Sequence, residues 1–389
     1  MNLLTEKLLL FFNKQKKNLK LSNLVLHEPS ITNIENSYVT RCLESGYVST
    51  IGKYVNLFEN KLKKFTKSKY IISTASGTAA LHIALKLIGI KKDEEVLIPT
   101  ISFVATANSI LYESAIPHFV DVEEDNFGID PVKLDKYLKN NSIIKKNVCF
   151  NKKTKKKISA IIVVHVFGHT AKIEQIIKIA KKYKLKVIED AAESLGSFFK
   201  SQHLGTFGDV GILSFNGNKI ITTGGGGAIL TKSKYLATRA LKLTTTSKIK
   251  HKWEYIHDEL GYNYRMPNLN SALGLAQLGK IHTFLRLKKK LFKKYSLILK
   301  NINDVKLVSQ PKFSKSNFWL QTIVIKKNSK KIRDKFLLKM HKNKIFARPV
   351  WSLLHKQKHL KKYPKMNLST AESLKYRIIN LPSSPYLGN

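Results

Sequence analysis

Apolar residues in this chain fall into short unbroken runs, separated by stretches in which they recur every three or four positions. KYIIST (69–74), EEVLIPT (94–100), HFVDV (118–122), SAIIVVHVFG (159–168), LKVIEDAA (185–192), VGILSF (210–215) and AILT (228–231) read as strands. AALHIALKLIG (79–89), FVATANSILYES (103–114) and IEQIIKIAKKYK (173–184) carry the helical spacing, the first stopped by Gly89. Strands apolar on both faces, alternating with amphipathic helices, predict an α/β domain with a mostly parallel sheet covered on both sides.

Three other stretches depart from that rhythm. The first residues, MNLLTEKLLLFFNKQKK, predict an amphipathic helix within 1–24. The apolar run is too short, and its flanks are wrong, for a secretory signal. KYLKNNSIIKKNVCFNKKTKKK (136–157) is polar and basic between two strand–helix units, and reads as a surface insertion. From about 251 to 389 long lysine-rich helical stretches precede short strands such as FWLQTIVI, which predicts a smaller α+β domain after a large one over 25–250.

Composition changes this picture little. With 389 residues, 43% of them hydrophobic, the chain is ample for two domains. The net charge of +43 admits nucleic acid, anionic membrane or anionic substrate as partners. However, the positives are nearly all lysine and are spread along the whole chain, without the arginine–aromatic interleaving of nucleic-acid readers. The expectation is therefore solvated surface charge, no nucleic acid and no membrane. Cys42 and Cys149 show no metal or redox spacing and fit a reducing cytoplasm. His165 and His169 lie on a strand and turn, not on one helix face, so no metal site is expected.

Candidate chemistry gathers where strands end, which is where open α/β sheets bind ligands. Ser76-Gly77-Thr78 follows KYIIST and opens a helix, an arrangement that suits a phosphate, although taken alone it reads better as a plain turn with Thr78 as N-cap. Asp190, at the end of LKVIED, can keep a ring nitrogen protonated, with Ala191 and Ala192 leaving room for a flat ring, and in isolation reads equally as an exposed turn carboxylate. Lys219 stands in the loop between VGILSF and a run of four glycines. A free lysine is a poor nucleophile at neutral pH, and a Schiff base with an aldehyde cofactor removes that difficulty. Phosphate cradle, carboxylate and loop lysine are together the parts that pyridoxal phosphate chemistry requires.

At the level of motifs, ASGTAAL, IPTISFVATANSI, VIEDAAESLGS, TFGDVGILSFNGNK and GYNYRM resemble the DegT/DnrJ/EryC1/StrS sugar-nucleotide aminotransferases from about residue 25 to the C-terminus. LHEPS, SGYVSTIGKYVNLFE, SFNGNKIITTGGGG, HKWEYIHDELGYNYRMPN and ARPVWSLLHK resemble the branch serving legionaminic-acid and bacillosamine-type sugars. The resemblance implies the type I, aspartate-aminotransferase-like fold with a seven-stranded sheet, and pyridoxal 5'-phosphate as cofactor. It further implies that Lys219 carries the cofactor and moves the proton, that Asp190 pairs with the ring nitrogen, and that Phe103 stacks on the ring. Gly77, Thr78 and Ser214 would hold the phosphate, with Asn263 reaching in from the second subunit of a homodimer. Glu193 stands where many relatives carry glutamine and is assigned to the cofactor, while His165 and Arg265 are assigned to substrate. The implied reaction moves an amino group from L-glutamate to C4 of a nucleotide-linked 4-keto-6-deoxy sugar. A 3-aminotransferase on the same scaffold stays open. A 3-dehydratase is disfavoured because such relatives carry histidine at the position of Lys219.

Overall fold

The computed structural model describes residues 1–389. Helices α1 (Asn2–Leu19), α2 (Asn33–Glu44) and α3 (Lys53–Thr66) lead into the alternating region. This comprises β1 (Tyr70–Thr74), α4 (Gly77–Leu87), β2 (Glu95–Pro99), α5 (Val104–Tyr112), β3 (Ile116–Val120) and α6 (Pro131–Asn141). It continues through β4 (Ser142–Lys145), β5 (Val148–Asn151), β6 (Lys157–Val164), α7 (Ile173–Lys182) and β7 (Lys186–Asp190). A short hairpin, β8 (Phe198–Phe199) and β9 (Gln202–His203), precedes β10 (Val210–Ser214), β11 (Gly227–Thr231) and α8 (Lys234–Thr244).

The main sheet runs β1-β11-β10-β7-β6-β2-β3. Only β11 opposes its neighbours, so the expected mostly parallel, seven-stranded arrangement is present. Alternate residues of its strands enter two cores. Val96, Ile98, Ile162 and Ile188 face one core, while Leu97, Ile161, Val163 and Val187 face the other beneath α6 and α7. Burial on both faces is why these strands read as continuous apolar runs.

The stretch expected as a surface loop at 136–157 is ordered structure. It completes α6 and then forms the antiparallel pair β4–β5, which extends the sheet to nine strands through Cys149↔Ile158. Cys149 and Asn151 of β5 turn inward while the lysines stay outside, and this alternation was hidden by the density of charge.

Beyond the exposed hairpin β12 (Lys248–Ile249) and β13 (Ile256–His257), α9 (Asn268–Gly279) packs against α2 and α3, and Gly274 lies close to Phe58. Then follow α10 (Ile281–Leu299), β14 (Val305–Leu307), β15 (Ser314–Lys315), β16 (Gln321–Ile325), α11 (Lys330–Lys342), β17 (Arg348–Pro349), α12 (Ser369–Leu374) and β18 (Ile378–Leu381). The antiparallel sheet β14-β16-β18-β17 and helices α10 and α11 enclose a separate core. The N-terminal helix belongs to that core: Leu4, Leu8 and Phe12 of α1 pack with Leu291, Tyr295 and Met340. No helix is long and apolar enough to cross a membrane.

Candidate active site

All the parallel strands present their carboxyl ends on one edge of the main sheet, and the chemistry-bearing residues line up there. At the end of β1 the chain turns into α4. The N-cap is Ser76, whose hydroxyl accepts from Ala79 N–H at 3.0 Å, which corrects the reading of Thr78 as the cap. Thr78 is thereby left in the first turn with Gly77, where backbone N–H groups have no intrahelical partner and the helix dipole favours an anion. A side chain at residue 77 would place its Cβ 2.8 Å from Ser214 Cβ, so glycine is what lets β10 and the mouth of α4 close on one another. Gly227, last of the four glycines, is required for a similar reason. Its Cβ would lie 2.5 Å from Ser76 O as β11 passes behind the turn.

Asp190 ends β7 and is almost wholly buried. Its carboxylate accepts from Thr106 Oγ1 at 2.8 Å and from Ala192 N–H at 3.2 Å. Thr106 is in turn linked to Ser102 Oγ at 2.8 Å. Burial pushes the Asp190 carboxyl above the usual range, and the hydrogen bonds from Thr106 and Ala192 offset this only in part. A buried carboxylate held by neutral donors suits a cationic N–H.

Lys219 extends from the loop after β10. Its Nζ lies 3.4 Å from Glu193 Oε1 and 3.9 Å from the centre of the Trp319 ring. Trp319 is fixed by donating from Nε1 to Asn218 O at 2.6 Å. Glu193 Oε2 accepts from Phe167 N–H at 2.8 Å, and burial lifts this carboxyl to about 7 against the pull of Lys219.

Between these groups lies a cavity of about 330 Å³, lined among others by Gly77, Thr78, Phe103, Asp190, Glu193, Ser214 and Lys219. Seven of the residues singled out from sequence thus meet at one place. Phe103, half-exposed at the lip, stands 6.3 Å from Trp351, so aromatic faces flank the opening. An anion-receptive helix mouth at one end, an under-neutralised carboxylate at the other and a lysine between them fit a flat, phosphorylated aldehyde whose ring nitrogen is protonated. Thr106, Ser102, Trp319 and Trp351 also line the cavity and carried no signal that reading the sequence could isolate. Each comes from a segment whose position depends on tertiary packing.

Three expected residues lie elsewhere in the chain's own fold. His165 is fully buried outside the cavity lining. Its Nε2 meets Glu189 at 2.9 Å and its Nδ1 accepts from Ala171 N–H, leaving no ring atom for a substrate. Arg265 is held by Glu59 at 2.5 Å and by Ser73 O at 3.2 Å, beside β1 rather than in the cavity. Asn263 is exposed, paired with Thr245 in an isolated bridge, and does not line this cavity.

Comparison with known proteins agrees with this geometry. The family model described as the DegT/DnrJ/EryC1/StrS aminotransferase family matches residues 29–389. The chain is 38% identical over 370 residues to GDP-perosamine synthase of Escherichia coli O157:H7, covering 94% of each. It is 36% identical over 235 residues, 60% of this chain and 58% of the other, to UDP-4-amino-4,6-dideoxy-N-acetyl-beta-L-altrosamine transaminase of Campylobacter jejuni. The crystal structure of a DegT DnrJ EryC1 StrS aminotransferase from Brucella abortus superposes with a TM-score of 0.82 at 26% identity, covering 96% of this chain and 93% of that one. The chain therefore belongs to the DegT/DnrJ/EryC1/StrS family and is a pyridoxal 5'-phosphate-dependent sugar aminotransferase of amino-sugar biosynthesis.

Proposed function

We propose that the enzyme transfers the amino group of L-glutamate to C4 of a nucleotide-linked 4-keto-6-deoxy sugar. The observation that supports this best is the convergence of Lys219, Asp190 and the mouth of α4 on one cavity. Bound there, pyridoxal phosphate supplies an electron sink and an aldehyde that accepts and returns the amino group. Gly77 and Thr78 offer N–H groups, and Thr78 and Ser214 hydroxyls, to the phosphate. Asp190 would hold the ring nitrogen protonated, and Phe103 at the lip would cover the ring. Lys219 would bear the cofactor, and its Nζ would be the group that moves the proton on the donor and the acceptor side. Trp319 and Trp351 wall the opening and limit water.

Regarding the sugar, one relative is named for a UDP-linked 4-amino-4,6-dideoxy sugar, and that name supports amination at C4 over C3. Within that class the LHEPS and ARPVWSLLHK motifs favour an acetamido sugar of the legionaminic-acid or bacillosamine type. We take the working assembly to be a homodimer in the cytoplasm. Trp253, Tyr255 and Leu260, on the segment leading to Asn263, are exposed, as are Tyr47, Val48 and Ile51 of the loop that bonds the start of α9. A second copy would cover these side chains and bring its Asn263 toward the phosphate.

The test is to supply glutamate with GDP- and UDP-linked 4-keto-6-deoxy sugars, with and without an acetamido group, and to identify the product. A 4-amino product from the acetamido UDP sugar agrees with the reading. A 4-amino product from the GDP sugar alone overturns the branch assignment, and a 3-amino product overturns the position.

A further inference from the structure

Glu193 is more closely engaged with Lys219 than with any other charged group. It lies three residues after Asp190, where the chain leaves β7, and only 6% of it is exposed. Its two carboxylate oxygens face different donors, Lys219 Nζ at 3.4 Å and Phe167 N–H at 2.8 Å. The second donor is delivered by an unusual turn. Phe167 has φ +55°, a left-handed conformation that bulky residues avoid. The turn is locked by Gly168, where a Cβ would collide with Asn317 Oδ1 at 1.9 Å.

Asn317 couples the parts. Its Nδ2 donates to Glu193 O at 2.8 Å and its Oδ1 accepts from Trp319 N–H at 2.8 Å. The same side chain therefore pins the backbone that carries the carboxylate and the backbone that carries the indole over Nζ. Lysine 219 is thus seated between an acid and an aromatic face that are fixed relative to each other.

The choice of glutamate over glutamine has a physical consequence. A carboxylate accepts at both oxygens, so it serves the ammonium and the Phe167 amide together. A glutamine has one acceptor and turns an NH₂ toward one of these two donors, leaving donor against donor.

We propose that Glu193 is a positioning residue acting through Lys219, holding the ε-amine and exchanging one proton with it between Nζ and Oε1. In that exchange an ammonium and a carboxylate become an amine and a carboxylic acid, with no other reactant and no net charge change. The inference rests on the reading of Lys219 as the cofactor-bearing residue. The charged surroundings are few. Asp190, from β7, repels the Glu193 carboxylate and reinforces the effect of burial on it. His165 is committed to Glu189. His27, before α2, feels both Lys219 and Lys288 of α10 and is held neutral chiefly by its own burial. Burial raises the Glu193 carboxyl to about 7, against the pull of Lys219.

The experiment compares wild type, Glu193→Gln and Glu193→Asp as full-length protein, with folding confirmed by melting curves. Borohydride reduction of each holoenzyme and peptide mapping first locate the cofactor. The cofactor is then removed, and Lys219 is trace-labelled with acetic anhydride as a function of pH. Loss of the carboxylate removes the ion pair that holds the ε-amine, so Lys219 of Glu193→Gln should label about tenfold faster at pH 7. Glu193→Asp should move back toward wild type. In the holoenzyme, kcat of Glu193→Gln should fall about tenfold or more, with KM for glutamate little changed. Superimposable labelling curves, or a change confined to KM, with the cofactor still trapped on Lys219, would overturn this inference alone. Trapping on another lysine would overturn the Lys219 reading and this inference with it.

Discussion

The two ends of the main sheet each bury a cluster of acids, and the clusters are opposite in character. At the amino end, Glu95 of β2 is fully buried but well served. It meets His118 Nδ1 at 2.7 Å, Asn151 Nδ2 at 2.9 Å and the Thr154 hydroxyl. Burial alone would raise its carboxyl, yet His118, Asn151 and Thr154 together hold it below the usual range. At the carboxyl end, Asp190 and Glu193 are as deeply buried but have fewer donors, and both are pushed upward. The contrast is sharpest between neighbours in the chain. Glu189 is equally buried but receives His165 and the amides of Gly205, Phe207 and Gly208, and its carboxyl is lowered. Burial of charge is therefore not the mark of the site. Burial that the protein itself leaves under-compensated is, because a ligand can complete it.

The contrast breaks most visibly under paired substitutions. Glu95→Gln should cost about 3–5 kcal/mol of stability by stranding His118, with turnover per folded molecule retained. Asp190→Asn should do the reverse. Its kcat should fall about 10²-fold, while the apoprotein gains about 1 kcal/mol by losing an under-compensated buried acid. Denaturant melts and steady-state kinetics on the two variants check both halves. Equal loss of stability in the two would erase the distinction.

A pH series sharpens it further. Glu193 has a folded pKa raised from 4.5 to about 7, so the folded apoprotein binds the extra proton between those values. Its contribution to stability is full below about pH 4.5 and is lost as pH rises through 7. Glu95 and Glu189, with lowered folded values, contribute stability above their unfolded pKa that is lost on acidification. In melts of apoprotein, Glu193→Gln should therefore gain on wild type between pH 5 and 8, by up to about 3 kcal/mol. Glu95→Gln should lose its disadvantage as pH falls below 4. The smallest effect is expected for Thr106→Val, which removes a single hydrogen bond to Asp190. It should lower kcat only several-fold, about 1 kcal/mol in the barrier.

What could be read from the sequence follows the same division. The strands were legible because burial on both faces leaves no polar interruption, and Gly77, Asp190 and Lys219 were legible because their chemistry is local to a strand end. The pair β4–β5 was not, because its ordering depends on Asn151 and Thr154 reaching Glu95, more than fifty residues away, beneath a lysine-rich exterior. His165 and Arg265 show a related gap between sequence and structure. A polar residue in a motif looks available until its partner is known, and Glu189 and Glu59 already hold them. Trp319 and Trp351 reach the cavity from segments next to β16 and β17 of the smaller sheet, which no local pattern announces.

The central claim is that the under-compensated end of the sheet is where the cofactor is held, on Lys219. Borohydride reduction of the purified holoenzyme, followed by proteolysis and mass mapping, tests it directly. One pyridoxyl group per chain is expected, on the peptide containing Asn218-Lys219-Ile220, and none in Lys219→Ala. A pyridoxyl group on any other lysine, or a Lys219→Ala protein that still transaminates, would contradict it.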